Sequence, residues 1–324
     1  MTDAISITPV TIPEKLKWLE SRYWRFGQDE KMSDYIEDLF NVDEQGQMTG
    51  EPRHDPLNDE AYGLMVLGES GSGKTAMLQR MLRKSSVLTK FQNDLTGNTL
   101  VVTVPPDATI KKLGEIILAK TGYNKIDPRS RATDLWEMAG HRFSIVGIKI
   151  VIIDECHHML QPGPGKDRRT AIQSLKHLMQ SENRAALVIA GVPALRDAIL
   201  SEPSGETFRR CRVYELPKIR TGSNAARLFA NNFMMSAEKL GVKVHAKDAF
   251  VERILLAEHG QVGRSIALGK EILRDAVIRN RRELVLEHAE RVFRKIKGGI
   301  EMTPFHPAGW DAVKRELEAI GWSQ

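Results

Sequence analysis

The sequence predicts an α/β fold: a parallel five-stranded sheet covered by helices, followed by a purely helical segment. Three observations carry this. Short apolar runs alternate with helical patterns between residues 61 and 216, which is how a parallel sheet buried on both faces reads. The first run is followed at once by Gly68-Glu-Ser-Gly-Ser-Gly73-Lys74-Thr75, a glycine loop set between strand and helix. Beyond Pro217 the apolar residues recur only at helical spacing.

Taken in order, residues 13–40 read as helical, with Leu16, Leu19 and Tyr23, and then Ile36 with Leu39 and Phe40, at mixed three- and four-residue spacing. A polar stretch containing Gly46, Gly50, Pro52 and Pro56 separates them from the body. Strands are expected at 61–67, 99–104 (stopped by Pro105 and Pro106), 149–154, 186–192 and 212–216. Helices are expected from the glycine loop to about Lys84, at 109–121, 129–143 and 167–181, and then at 223–239, 247–258, 263–279 and 286–297. The implied organisation is an arm and linker over 1–58, a core over 59–219, a helical segment over 220–300 and a tail over 301–324.

Composition excludes several classes. With 41% hydrophobic and 27% charged residues the chain resembles ordinary globular proteins rather than disordered ones. No apolar run is long enough to span a membrane, and MTDAISITPV lacks the layout of a signal peptide. Cys156 and Cys211 are too few for a disulfide framework. The expectation is a cytoplasmic protein. The net charge of +5 is unevenly spread: residues 1–60 sum to −8 and the remainder to +13. A basic body suits a nucleic-acid partner, although a solvated surface would read the same way.

The glycine loop is a complete G-x-x-x-x-G-K-[ST] phosphate-binding motif. Gly68, Ser70, Gly71, Ser72, Gly73 and Ala76 belong to a tight turn entering a helix, whose N–H groups and dipole favour phosphate oxygens. Lys74 is expected on the β- and γ-phosphates of ATP, and Thr75 on Mg²⁺. The partner strand Ile150-Val-Ile-Ile-Asp154-Glu155 ends in two carboxylates. Asp154 would join the Mg²⁺ shell, and Glu155 would orient or deprotonate the attacking water. The expected reaction is ATP hydrolysis.

Asp154-Glu-Cys-His157 also spells a helicase DExH box, and Gln261 and Arg264 hint at a second helicase motif. That reading requires another domain of alternating strands and helices, and the segment after Pro217 has none. Cys156, His157 and His158 match no zinc-ligand spacing and read as packing and loop residues.

A phosphate-loop core followed by helices resembles the AAA+ class. The resemblance implies an arginine reaching the nucleotide from the helical segment, and Gly260-Gln-Val-Gly-Arg264 makes Arg264 the candidate. It also implies an arginine lent to the neighbouring subunit. Phe208-Arg209-Arg210-Cys211 occupies that interval, with Arg210 preferred and Arg209 the substitute. One departure stands out. The fourth strand ends Ile189-Ala-Gly191-Val192-Pro193, without the polar side chain usual there, which implies slow hydrolysis or another residue positioning the water.

Between about residues 60 and 280 the ordered segments VTVPP, IIDECHHML, RRTAIQSLKHLMQ, VIAGVPALRDAI, FRRC and VGRSIALGKEILRDAVIR resemble the TniB/TnsC-type ATPases of bacterial DNA transposition, relatives of MuB. The resemblance implies an ATP-dependent protein that forms rings or filaments on double-stranded DNA and recruits a DDE-type transposase. It implies DNA contacts from the segments matched here by Lys111, Lys112, Arg129 and Arg131, whose charges suit sequence-independent phosphate binding. Residues 261–300 are also basic, at +5. The tail, with Trp310, Leu317 and Trp322, either docks a partner or packs on the helical segment, and the acidic arm is a candidate contact for a target-selection protein. The competing reading is an AAA+ ATPase acting on protein partners.

Overall fold

Strands β3 (Gly63–Leu67), β5 (Ile150–Asp154) and β6 (Ala186–Gly191) are buried along their whole length, as their uninterrupted apolar sequences require. With β4 (Thr99–Thr103) and β7 (Cys211–Glu215) they form a five-stranded all-parallel sheet in the order β4-β5-β6-β3-β7. The computed structural model describes residues 10–160, 168–180, 185–201, 209–245, 249–298, 302–319 and Trp322. Phe208 and parts of the expected helices 167–181 and 247–258 lie outside the described residues. No described helix is long and apolar enough to cross a membrane.

Alternation along the strands divides the sheet's side chains between two faces. Met65, Leu67, Val151, Ile153, Leu187 and Ile189 form one core with helices α4 (Ile110–Lys120), α5 (Ala132–Val146), α7 (Arg168–Leu178) and α8 (Ala194–Leu200). Leu64, Val66, Ile150, Ile152, Val188 and Tyr214 form the other with α3 (Lys74–Lys84) and with Met32, Ile36, Leu39 and Phe40. Of those last four residues, Met32 and Ile36 lie in α2 (Gly27–Glu37), Leu39 in the turn after it and Phe40 at the start of β1 (Phe40–Val42). Part of the expected arm therefore completes one face of the sheet. The stretch read as a polar linker is an antiparallel hairpin, β1 with β2 (Met48–Pro52). Its turn is tied by Asp43, whose carboxylate accepts the N–H groups of Gln45 and Gln47.

The chain separates into two units. One, the sheet unit, comprises residues 28–70 and 74–216. The other comprises residues up to Gly27, Gly71–Gly73, and the chain from Pro217 onward.

The second unit is helical: α1 (Ile12–Ser21), α9 (Asn224–Lys239), α10 (Phe250–Ala257), α11 (Val262–Ile278), α12 (Leu286–Lys297) and α13 (Trp310–Ala319). A two-residue parallel pair that the sequence did not announce, Lys243–Val244 with Glu283–Leu284, joins two of its loops. Helix α1 opens with a capping box, Thr11 with Glu14. Its last carbonyls, on Glu20 and Arg22, accept from the Lys270 ammonium. Trp24 sits edge-on to Phe229 and Phe233 in this unit's core, with ring centroids 5.3 and 6.3 Å away.

The tail packs on the same unit. Arg253, fully buried, donates to the carbonyls of Pro304, His306 and Ala308 and lies over the Trp310 ring. Trp322 donates to Leu256 O at 2.8 Å and stacks on His259. Of the two readings left open for this segment, packing on its own helices is the observed one.

Candidate active site

The sheet delivers its chemistry at the C-terminal ends of β3, β5 and β6, where open parallel sheets bind ligands. After β3 the chain turns through Gly71 (φ 78°) and Gly73 (φ 100°) into α3. These are conformations that a Cβ would strain, so the motif's glycines are geometric requirements. Lys74, at the start of α3, is buried, and its ammonium donates to Gly68 O at 2.7 Å and Glu69 O at 3.3 Å. Burial lowers its pKa, opposed by the negative charges of Glu155, Asp154 and Glu69. The Thr75 hydroxyl donates to Asp154 Oδ2 at 2.5 Å. Ser72 keeps its hydroxyl buried with no hydrogen-bond partner.

These features match what a magnesium nucleotide requires. Thr75 and Asp154 present hard oxygen donors side by side, the ligand type that Mg²⁺ takes. The buried ammonium of Lys74 and the orphaned hydroxyl of Ser72 are donors suited to phosphate oxygens.

Glu155 departs from ordinary backbone geometry. Its φ is 55°, in the left-handed region that a non-glycine residue avoids. Such strain is retained where the surroundings over-determine it, often at functional sites. Its N–H donates to Asp154 Oδ1 at 2.9 Å, so the two carboxylate residues are tied together just past the strand.

The next residues correct the sequence reading. Cys156 is buried in the sheet core, where burial raises its thiol pKa far above the ordinary range. His157 and His158 are not loop residues. They open a short helix, α6 (His157–Leu160), with ring centroids 4.2 Å apart. His157 Nδ1 is 3.4 Å, and His158 Nε2 3.9 Å, from Glu155 Oε2. Burial and then His158 lower the His157 pKa, against the pull of Glu155. The three side chains are of metal-ligating type, and their ligand atoms all lie within 4.8 Å of one another. A metal held there would engage the carboxylate that sequence reasoning assigns to water activation. The signal in the sequence was the juxtaposition of His157 and His158 with Glu155, and zinc spacing rules do not test that pattern.

The remaining predicted residues fall in three places. Arg264, exposed at the start of α11, belongs to the helical unit together with Gly71. A Cβ added at Gly71 would come within 2.8 Å of Arg264 Cγ. Arg210 is half-buried and forms an ion pair with Glu60 at 2.8 Å, while Arg209 beside it is exposed. Lys111 donates to Pro128 O at 2.7 Å, which brings the start of α4 against the loop carrying Arg129 and Arg131. Both of these arginines are exposed. Lys112, also exposed, pairs with Glu115 three residues on.

A parallel sheet in this strand order, with a phosphate loop after β3, an Asp-Glu pair closing β5 and helices after the last strand, defines a P-loop AAA+ ATPase fold. The structural comparisons agree. The Cdc6p protein of Pyrobaculum aerophilum aligns with a TM-score of 0.59 at 14% identity, covering 88% of this chain and 72% of that one. The Aeropyrum pernix ORC1 protein in complex with DNA aligns at 0.57 and 15%, covering 87% and 69%. The ORC2 protein of the same organism aligns at 0.57 and 16%, covering 86% and 71%. No curated protein matches. Residues 20–221 match the family described as Bacterial TniB protein, and the chain belongs to this family.

Proposed function

We propose that the chain hydrolyses ATP to ADP and phosphate and that it couples ATP binding to assembly on double-stranded DNA as a regulator of transposition. The observation that carries the catalytic part is the grouping of Lys74, Thr75, Asp154 and Glu155 at the strand ends. Glu155 takes the proton of the attacking water as oxygen bonds to the γ-phosphorus and the bond to the bridging oxygen breaks. Lys74 offsets phosphate charge, and Ser72 and the glycine loop offer hydrogen bonds to phosphate oxygens. Bound Mg²⁺, held by Thr75 and Asp154, would supply electrostatic stabilisation of that charge. Arg264, exposed near Gly71 of the phosphate loop, is the proposed arginine contact to the nucleotide.

Hydrolysis in a AAA+ assembly draws on a neighbouring subunit's arginine. Arg210, half-buried and paired with Glu60, and Arg209, exposed beside it, remain the two candidates. For DNA, the proximity of Lys111 to the Arg129 loop supports one basic surface with Lys112 and Arg131, suited to phosphate contacts without base reading. Family membership supports the transposition role, with a DDE-type transposase as partner. The similar ORC1 protein was observed in complex with DNA, which supports the DNA role by likeness of fold.

The test is direct. Purified chain with Mg-ATP should release phosphate and, on duplex DNA, form rings or filaments visible by negative-stain microscopy. Absence of phosphate release with or without DNA defeats the catalytic reading. Assembly that ignores both ATP and DNA defeats the regulatory one.

A further inference from the structure

We infer that His157 positions the Glu155 carboxylate for hydrolysis, filling the space that a glycine at the end of β6 leaves open. The inference rests on the reading of Glu155 as the base.

A general base needs its carboxylate aimed, and the backbone of Glu155 supplies only part of the aim. The strained φ and the N–H bond to Asp154 fix where the side chain starts, while its carboxylate lies beyond the strand and needs a lateral partner. The adjoining strand could have supplied one, but β6 ends at Gly191, which carries no side chain. His157 takes that volume. A Cβ built on Gly191 would stand 3.2 Å from His157 Nδ1, 3.4 Å from His157 N and 3.0 Å from Leu195 Cδ2. Contacts at 3.0–3.4 Å are tighter than ordinary packing, so this imidazole and a side chain at position 191 compete for one place.

The ring nitrogen in question is otherwise unengaged. His157 is only 9% exposed, and its Nδ1 is buried with no hydrogen-bond partner. A buried polar atom left so costs free energy, and Glu155 Oε2, at 3.4 Å, is an acceptor within reach. A small rotation of either side chain turns this approach into a hydrogen bond from Nδ1–H to the carboxylate. The His158 ring lies tilted against the His157 ring, with centroids 4.2 Å apart, and limits where it can turn. His157 is thus a positioning residue, acting on the reaction through Glu155. Its significance depends on Gly191, distant in sequence but packed against the ring and backbone of His157.

The experiment uses the full chain with Mg-ATP and duplex DNA, and reads kcat, the affinity for a fluorescent ATP analogue and the thermal unfolding midpoint. His157→Leu, which fills the site without a donor, should lower kcat by about tenfold to 100-fold, the range that misplacing a catalytic group produces, with nucleotide affinity nearly unchanged. His157→Asn, whose side-chain N–H sits near the place of Nδ1, should recover most of the rate. Gly191→Ala should lower kcat as well, because the new Cβ displaces the ring; this variant also serves if His157→Leu does not fold. Wild-type kcat in either His157→Leu or Gly191→Ala overturns the inference, as does equal loss in the Leu and Asn variants, which would mark a packing role. A wild-type chain with no hydrolysis, or a Glu155→Gln variant as fast as wild type, instead overturns the reading of Glu155 on which the inference stands.

Discussion

Among the described residues each unit buries one long cationic side chain, and the two are treated in opposite ways. In the helical unit the Arg253 guanidinium is fully buried, and three carbonyls of the 304–308 segment and the Trp310 ring engage it. Its hydrogen bonds fix the tail, so its charge is consumed by structure. In the sheet unit Lys74 is almost as buried, but its ammonium holds only loop carbonyls, two residues along from the orphaned hydroxyl of Ser72 and near two carboxylates. Burial pulls its pKa down, a destabilising placement unless a ligand with negative charge makes use of it. The contrast teaches how to separate architectural from functional buried charge: count what remains for a ligand once internal partners have been served.

The largest effects should fall on the reserved charges. Glu155→Gln should leave ATP-analogue binding intact and cut phosphate release by about 100-fold or more, the scale of losing a general base. Lys74→Ala should abolish detectable nucleotide binding and any ATP-dependent assembly, while its circular dichroism and urea midpoint stay close to wild type. A Lys74→Ala chain that unfolds would break the comparison, because it would make Lys74 structural as well. Next in size is Arg253→Met. It leaves three carbonyls without a donor and should cost about 3 kcal/mol in urea unfolding, hydrogen bonds to charged groups being worth about 1.5–3 kcal/mol each. Faster proteolysis of the tail should accompany it. An Arg253→Met chain of wild-type stability would show that the guanidinium is not what holds the tail.

What the sequence made legible follows the same division. Gly68–Thr75 was readable because phosphate recognition needs contiguous residues, and the strands because a two-sided parallel sheet demands uninterrupted apolar runs. The hairpin over Phe40–Pro52 was not, because β1 is only three residues long and the buried positions of β2 are Gly50 and Pro52, residues that read as turn signals rather than as a strand's apolar face. The division of the first 58 residues between two units depends on where Trp24 and Met32 find partners, a non-local matter. Arg253 gave a faint signal, a cation among Phe250, Ile254 and Leu255, but its carbonyl partners lie some fifty residues along. The Arg209–Arg210 pair could not be separated from sequence because adjacent residues share one interval; the Arg210–Glu60 ion pair depends on a residue 150 positions away.

Cations at the surface are a third treatment: Arg129 is exposed, and Lys111, half-buried, donates to the single carbonyl of Pro128. Lys111→Ala with Arg129→Ala should weaken binding to duplex DNA of any sequence. The slope of log affinity against log salt should become shallower by about one for each phosphate that is no longer neutralised. ATP-analogue affinity measured without DNA should not move. Lys112→Ala should do less, since Glu115 already offsets that charge. Unchanged salt dependence in the double variant would remove this surface from the DNA reading, and the case for a cation held in reserve would then rest on Lys74.

The smallest effect sharpens the structural side of the contrast. Asp275 in α11 pairs with Arg279 and Arg291. Burial would raise its carboxyl pKa, but hydrogen bonds from Arg279 and Arg291, with the charge of both, outweigh it and hold the group below its ordinary value. A carboxyl with a lowered folded-state pKa stabilises above its unfolded pKa and loses that contribution as pH falls through the folded value. Asp275→Asn should therefore cost about 1 kcal/mol at neutral pH, the upper scale for a partly exposed ion pair. The gap to wild type should shrink only below about pH 4, as the wild-type carboxylate takes up its proton. Urea unfolding of both chains at about pH 7 and about pH 3 measures it. If the gap is the same at both pH values, the ion pairs contribute nothing and Asp275 acts through packing. If it closes with acid, the helical unit consumes charge at its surface as well as in its core, at a value set by how much water reaches the pair.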